Sequence, residues 1–274
     1  MSVSGSYSAS TFHRDLESEL HRLQVQVELV WKKESRNLAW FGLKDGMSIL
    51  ELGSGPGFST EKLLTLVPNG SVTSVERDPM MVKEASNRLH LYPKERFTII
   101  EASASDTGLP DNSMDFAIAR LLFQHLPDPI AVAKEAFRVL KPGGKIAITD
   151  PDIDLFWLLD PPLPEADLIC ARLSQGQAAQ SGDFHIGHKL WRILKSVGFE
   201  DMNLEMITAH SDELGIESLL PQFEPDLLLK LMEAGLLSKA EFTQIKQSRE
   251  AFLNSPDPFL LYMWWMVSGS KGAV

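Results

Sequence analysis

Between residues 47 and 150 short apolar runs alternate five times with helix-forming stretches, and this rhythm constrains the fold more than any other feature of the chain. Met47–Leu52, Ser71–Glu76, Phe97–Glu101, Met114–Ala119 and Lys145–Asp150 have the length and apolar content of strands. Ser59–Val67, Pro79–Leu89 and Asp128–Val139 read as helices, and Pro68-Asn69-Gly70 and Lys141-Pro142-Gly143-Gly144 as tight turns. Strands and helices alternating through short connections specify an open parallel sheet with helices on both faces. Largely apolar strands such as Met114–Ala119 and Lys145–Asp150 suit a sheet covered on both sides.

The flanks break the rhythm. Leu16, Leu20, Leu23, Val27, Val30 and Trp31 recur at helical steps, which predicts a helix from Phe12 to about Phe41, stopped by Gly42. After Asp150 come an aromatic cluster with three prolines, a helix from Glu165 to about Ala179, a helix over 186–197, a sixth strand over Met202–Ala209, an acidic helical stretch over 212–253 and a last strand over Phe259–Val267. The expectation is a seven-stranded, mostly parallel α/β sheet with an N-terminal helical extension (1–40), a core (41–150) and a final part (151–274). Two insertions in that final part, 151–185 and 210–255, cap the sheet. The leucines of 219–237 suit either that cap or a homodimer interface, so monomer and homodimer both stay open.

The chain has 274 residues and a net charge of −11, with 26 basic against 37 acidic side chains. That balance argues against a phosphate-neutralising nucleic-acid surface. The single cysteine, Cys170, rules out an internal disulfide and a thiolate metal cluster, and no metal is expected. The first residues lack the basic and apolar regions of a secretory leader, and no stretch reaches the ~20 apolar residues of a membrane span. A cytoplasmic protein is the expectation.

Residues 51–57 read Glu-Leu-Gly-Ser-Gly-Pro-Gly, directly after an apolar strand, and nineteen residues further the next strand ends in Glu76. Glycines let the backbone turn sharply and approach a ligand. An acidic side chain at the neighbouring strand tip can accept hydrogen bonds from ribose hydroxyls, so the two segments describe a pocket for an adenosine. A dinucleotide fingerprint places its third glycine one position later than Gly57, which weakens a nicotinamide or flavin reading.

With the downstream segments added, the chain resembles the class I S-adenosylmethionine-dependent methyltransferases. The resemblance rests on ELGSGPG, VERDP, IIEASASDTGLPDNSMDFAIA, QHLPDP and RVLKPGGKIAI in this order. It is strong over about residues 20–150 and weaker over 181–200 and the last strand, and it is closest to the small-molecule branch. It implies a Rossmann-like fold and S-adenosylmethionine as cofactor. Glu51, Gly53, Ser54, Gly55 and Gly57 would surround the methionine part, Glu76 would hold the ribose, and Arg77 would flank the adenine. Ser103 and Ala104 would lie at the adenine edge, with Ser103 where many members carry Asp. Arg120, at the end of strand four, and His125 complete the cofactor side. For Glu76, Gly57 and Ser103 the rival readings are a strand cap, helix–strand packing and an ordinary loop hydroxyl.

Methyl transfer is an in-line displacement, so orientation matters most and a base only when the acceptor must lose a proton. His125 and His185 are the candidate bases, since imidazole titrates near neutrality. A cofactor-side role for His125, and a passive His185 beside a capping Asp183, are the rivals. Asp150, Asp152, Trp157, Phe184 and His185, with Tyr7 and Phe12 near the N-terminus, are candidate acceptor contacts; ordinary core packing competes for the aromatics. The expected activity is transfer of a methyl group to O, N or C of a small organic molecule. A peptide or protein methyltransferase and a non-catalytic S-adenosylmethionine-binding protein are the alternatives.

Overall fold

The computed structural model describes residues 16–273. Helix α1 (Leu16–Phe41) buries Val27, Val30, Glu34, Asn37, Leu38 and Phe41, one face at three- and four-residue steps. It ends where the Leu43 amide donates to Leu38 O (2.9 Å) around Gly42, whose φ of 106° suits a residue without Cβ.

The alternating core follows as β1 (Ser48–Leu52), α2 (Phe58–Leu66), β2 (Ser71–Glu76), α3 (Pro79–Leu89), β3 (Phe97–Glu101), β4 (Met114–Arg120), α4 (Pro129–Val139) and β5 (Leu140–Asp150). Capping explains two of the helix starts. Asp78 accepts from Met80 N and Asp128 from Ala131 N, each with proline at the first helical position. The predicted turn at 141–144 is a bulge inside β5. Met114 pairs with Leu140 and Phe116 with Lys145, so β5 carries extra residues, with Gly143 at φ 78°.

Five strands lie parallel in the order β3-β2-β1-β4-β5. The chain winds outward from β1 to β3 and returns to β4 on the other side of β1. Ligands gather at such a switch point, beyond the strands' carboxyl ends. The remainder comprises β6 (Trp157–Asp160), α5 (Ala166–Ala179), α6 (Leu190–Val197), β7 (Phe199–His210), the short helices α7 (Ser211–Leu214), α8 (Ile216–Leu219) and α9 (Leu229–Glu233), then α10 (Lys239–Leu253) and β8 (Phe259–Lys271). Strand β8 runs antiparallel to its partners. Along one edge it pairs first with β6 and then with β5, and along the other with β7.

Among the described residues the sheet therefore has eight strands, not seven. Strand β6 lies within the aromatic cluster, and its four residues gain a partner only about a hundred positions away, at Phe259–Tyr262. Strand β8 also outruns its expected end. Ser268 and Ser270 are buried between two neighbouring strands, and a Cβ on Gly269 would lie 2.6 Å from Met202 Sδ.

Two apolar layers flank the sheet. One packs α4 and α6 against Leu50, Leu52, Ala117 and Ile148. The other packs α1, α2 and the segments after β5 against Ile49, Phe116 and Ala147. At about 25 cal/mol per Å² these layers are the main stabilising term. Among the described residues no helix is long and apolar enough to cross a membrane.

Candidate active site

Beyond the carboxyl ends of β1, β2, β4 and β5 lies a cavity of about 460 Å³. Its floor is Gly53–Pro56, Val75–Arg77, Ala102–Ala104 and Arg120–Leu122. Its opposite wall comes from α1 (Arg22, Leu23, Gln26, Val27), from Phe156, Trp157, Leu163, Ile169, Leu173 and Phe184, and from Gln222–Leu228 with Ile245 and Arg249.

The glycine loop is folded for close approach. Gly53, Gly55 and Gly57 have φ of 70°, 53° and 83°. A Cβ on Gly53 would meet Leu122 Cδ1 at 2.9 Å, and one on Gly57 would press on Ala85 and Leu89 at 3.2 Å. A Cβ on Gly55 would meet no atom within 4 Å, because it would project into open space. Gly57 thus serves helix packing and does not line the cavity. Ser54 does line it, is 5% exposed, and its Oγ has no hydrogen-bond partner. A buried hydroxyl without a partner is costly. At the loop leading into α2, where backbone N–H groups point outward, it matches a polar ligand group.

Glu76 lines the cavity and also holds the loop. Its Oε2 accepts from Gly55 N (2.9 Å), and its Oε1 from Arg77 N (2.7 Å) and Asp78 N (2.8 Å). Ionised carboxylates have about four acceptor sites, so capacity for a hydroxyl remains. Ser103, at the exposed rim, bonds Ser105 Oγ at 2.8 Å, and Ala104 lies beside it. Arg120 borders the cavity while its guanidinium pairs with Glu34 Oε2 (2.8 Å) and donates to Gln26 O (2.9 Å). Thr149 Oγ1 donates to the other oxygen of Glu34 (2.8 Å), so α1 is tied to the ends of β4 and β5 by a buried charge pair.

Several expectations need correction. Glu51 is 1% exposed and sits beneath the loop, accepting from Ser59 Oγ, Thr60 Oγ1 (2.6 Å) and Ser74 Oγ (2.8 Å). Burial pushes its carboxyl pKa up against those three bonds. Glu51 fixes α2 to the sheet and does not reach the cavity. Asp150 is fully buried behind the 3₁₀ turn 123–125, accepting from Phe123 N (3.0 Å) and Gln124 N (3.2 Å). Burial raises its pKa to about 7. Asp152, 2% exposed, accepts from Asp154 N and from His188 N (2.9 Å) and bonds His188 Nδ1 (2.6 Å), so it fastens the entry to α6. Neither aspartate faces an acceptor.

His185 lies off the cavity wall, its ring held between Ser174 Oγ (3.0 Å) and Asp154 Oδ2 (3.2 Å), and its amide donates to Asp183 Oδ1 (3.0 Å). It is not placed to take a substrate proton. His125 does line the cavity, but burial, then Arg22 and Arg77, push its pKa down to about 3. The Gln177 amide nitrogen donates to Gln124 O (2.7 Å) and sits 2.9 Å from His125 Nδ1. This assigns Nδ1 as the acceptor and the ring proton to Nε2. A neutral imidazole that weakly basic is a poor general base near neutral pH. Trp157 and Phe184 line the cavity as expected candidates, while Tyr7 and Phe12 lie outside the described residues.

Residues 50–148 match the family model described as a methyltransferase domain. This stretch of the chain is a methyltransferase domain. Curated proteins match as well. The chain is 31% identical over 170 residues to an uncharacterised 37.1 kDa transposon protein of Streptomyces fradiae, covering 61% of this chain and 47% of that one. It is 31% identical over 113 residues to the chloroplastic 2-methyl-6-phytyl-1,4-hydroquinone methyltransferase 1 of Oryza sativa subsp. japonica, covering 41% and 33%. The matched part spans a third to a half of the length of these relatives. Phosphoethanolamine N-methyltransferase 2 of Haemonchus contortus, solved with phosphomonomethylethanolamine and S-adenosylhomocysteine, superposes with a TM-score of 0.58 at 21% identity. The overlap covers 88% of this chain and 53% of that one, and it shows the shared fold.

Sequence reading of this methyltransferase domain missed several wall residues. Leu121 follows β4 with φ 53°, an uncommon conformation for a bulky residue, held by its amide bond to Thr149 O (2.7 Å). Trp264, on β8, is 2% exposed and forms part of the wall. Arg22 and Gln26 carried only a helical-periodicity signal. Gln222, some 200 positions away, carried none, yet the three interlock through Gln222 Oε1 (3.1 Å to Arg22, 3.3 Å to Gln26).

Proposed function

We propose that the protein transfers a methyl group from S-adenosylmethionine to an O, N or C atom of a small organic molecule by in-line displacement. One observation carries the reading: a single cavity runs from the unpartnered Ser54 hydroxyl and the open space at Gly55 to an aromatic wall. The loop residues fit the cofactor. Gly53, Ser54 and Gly55 would take its methionine part, Glu76 its ribose, and Arg77, Ser103 and Ala104 its adenine side. When bound, the cofactor supplies a methyl carbon activated by a sulfonium.

This chain's residues orient the acceptor and exclude water, which is the larger share of such catalysis. Phe156, Trp157 and Phe184 form the acceptor side, with α1 closing it. Residues 151–185 and 210–255 act as the acceptor cap on a core of 41–150. With His125 neutral and His185 off the wall, the described histidines provide no base of ordinary strength. Acceptors that shed their proton to water, or need not shed one, suit such a site. Wall side chains this apolar favour a small molecule over a peptide, which would need a wide acidic groove. A cytoplasmic monomer or homodimer with no nucleic-acid partner completes the reading.

Titration calorimetry with S-adenosylhomocysteine, followed by incubation with labelled S-adenosylmethionine and a metabolite extract, tests it. The expected outcome is tight binding and label in a small-molecule fraction. Absence of binding would overturn the cofactor assignment. Binding with no transfer to any extract would leave a cofactor-binding protein without transferase activity.

A further inference from the structure

We propose that the acceptor is uncharged and that Glu224 is the residue that makes it so. This rests on the methyltransferase reading and narrows it to a substrate class. Among the described residues, each lining cation other than Arg77 of the cofactor loop holds a carboxylate. Arg22 holds Glu19 in a two-pronged pair (2.6 and 2.9 Å), and Arg120 holds Glu34 at 2.8 Å. Arg249 holds Glu224 at 2.8 Å and also donates to Phe223 O (2.8 Å). Glu19 and Glu34 are 3% and 2% exposed, so two of these pairs are desolvated already.

These three pairs carry no net charge. An anionic acceptor would give up its water and meet only cations already satisfied; a cationic one would meet only carboxylates already paired. Either charge would be buried without compensation, which is costly. The other polar side chains on that wall are carboxamides: Gln26 and Gln222 border the cavity, the Gln26 amide nitrogen donates to Gln222 Oε1 (3.3 Å), and Gln222 Nε2 donates to Arg22 O (2.9 Å). Carboxamides donate and accept without charge, which suits a hydroxyl, carbonyl or amide on an otherwise apolar molecule.

Glu224 differs from the other two carboxylates. It lines the cavity itself, on the segment between α8 and α9, and its side chain is 36% exposed. Its partner Arg249 lies with its guanidinium 5.6 Å from the Phe223 ring, which is itself a wall residue. Removing the charge of Glu224 alone exposes one cation to the acceptor side and leaves the buried pairs of α1 intact.

The test uses the full chain saturated with S-adenosylhomocysteine and three probes of one ring system: 1-naphthol, 1-naphthoate and 1-naphthylamine, the last uncharged at pH 7.5. The wild type is expected to bind the naphthol and the amine at least tenfold more tightly than the carboxylate. In Glu224→Gln the carboxylate should gain at least tenfold while the naphthol changes little, and adding Arg249→Met should cancel that gain. Equal or tighter binding of the carboxylate by the wild type, or no binding of the naphthol, overturns the proposal. So does a Glu224→Gln variant that binds S-adenosylhomocysteine normally without the gain. Loss of S-adenosylhomocysteine binding by the wild type would instead strike the methyltransferase reading itself, and the two failures are read in separate titrations.

Discussion

The two ends of the cavity are built by different means. The glycine-loop end is made of backbone and of short-range bonds. Gly55 donates to Glu76, Gly53 N to Val75 O, and Glu51 locks α2 beneath the loop, all within 51–76. The cap end is made of side chains from α1, from 156–184 and from 222–249, with pairs such as Arg22–Gln222 about 200 positions apart. The first is preorganised by adjacent strands. The second exists only when remote segments dock. Recognition of an invariant ligand suits the first construction, and variation of acceptor suits the second.

The sharpest way to break this division is Glu34→Ala. It leaves Arg120 buried without its carboxylate and unties α1 from β4 and β5, and breaking such a pair costs roughly 3–5 kcal/mol. Chemical denaturation should show that loss; an unchanged midpoint would mean that α1 is held by apolar packing alone. Gly55→Val comes next. A Cβ at this position meets no protein atom within 4 Å, so the fold should lose only roughly 1–2 kcal/mol for the left-handed backbone. S-adenosylhomocysteine affinity should meanwhile fall by about 100-fold or more, roughly 3 kcal/mol. Retained affinity would empty the loop of its proposed role.

Glu76→Ala should weaken S-adenosylhomocysteine by roughly 1.5–3 kcal/mol for each charge-assisted bond lost. Glu76→Gln, which can still accept from the loop amides, should lose less. If both variants bind like the wild type, Glu76 is only a loop fastener. Asp150→Asn probes the join between the two ends through pH. The folded pKa of Asp150 is raised from 3.8 to about 7, so the native state holds its proton where the unfolded chain has released it. Its contribution to stability is present below about pH 4 and is lost as pH rises through about 7. The stability of wild type minus that of Asp150→Asn should therefore decline over that window, by roughly 1.4 kcal/mol per pH unit at most. Urea melts at pH 5 and pH 8 read the difference, and a flat difference would place Asp150 in water.

The glycine-loop end was legible in the sequence because its signals are local. Spacing, strand length and turn residues place Gly53, Ser54, Gly55 and Glu76 together without any distant contact. Even there, burial decided roles that spacing could not. Glu51 and Gly57 carry the motif as strongly as Ser54, yet one supports the loop from below and the other packs α2 on α3. At the cap end the aromatic composition was visible, but its partners were not. His125 illustrates the difference: its place after β4 was readable, while its weak basicity comes from burial and from two arginines on other elements.

Taken alone, the sequence determined the alternating parallel core, its order of elements and the chemistry of the glycine loop, because periodicity and turn residues act over a few positions. Tertiary structure decided the eighth strand, the sharing of β8 by β5, β6 and β7, and which carboxylates are buried props. It also decided the pairing of Arg22, Arg120 and Arg249 with carboxylates. Those outcomes depend on desolvation and on contacts between residues far apart in the chain, and neither leaves a mark in local spacing.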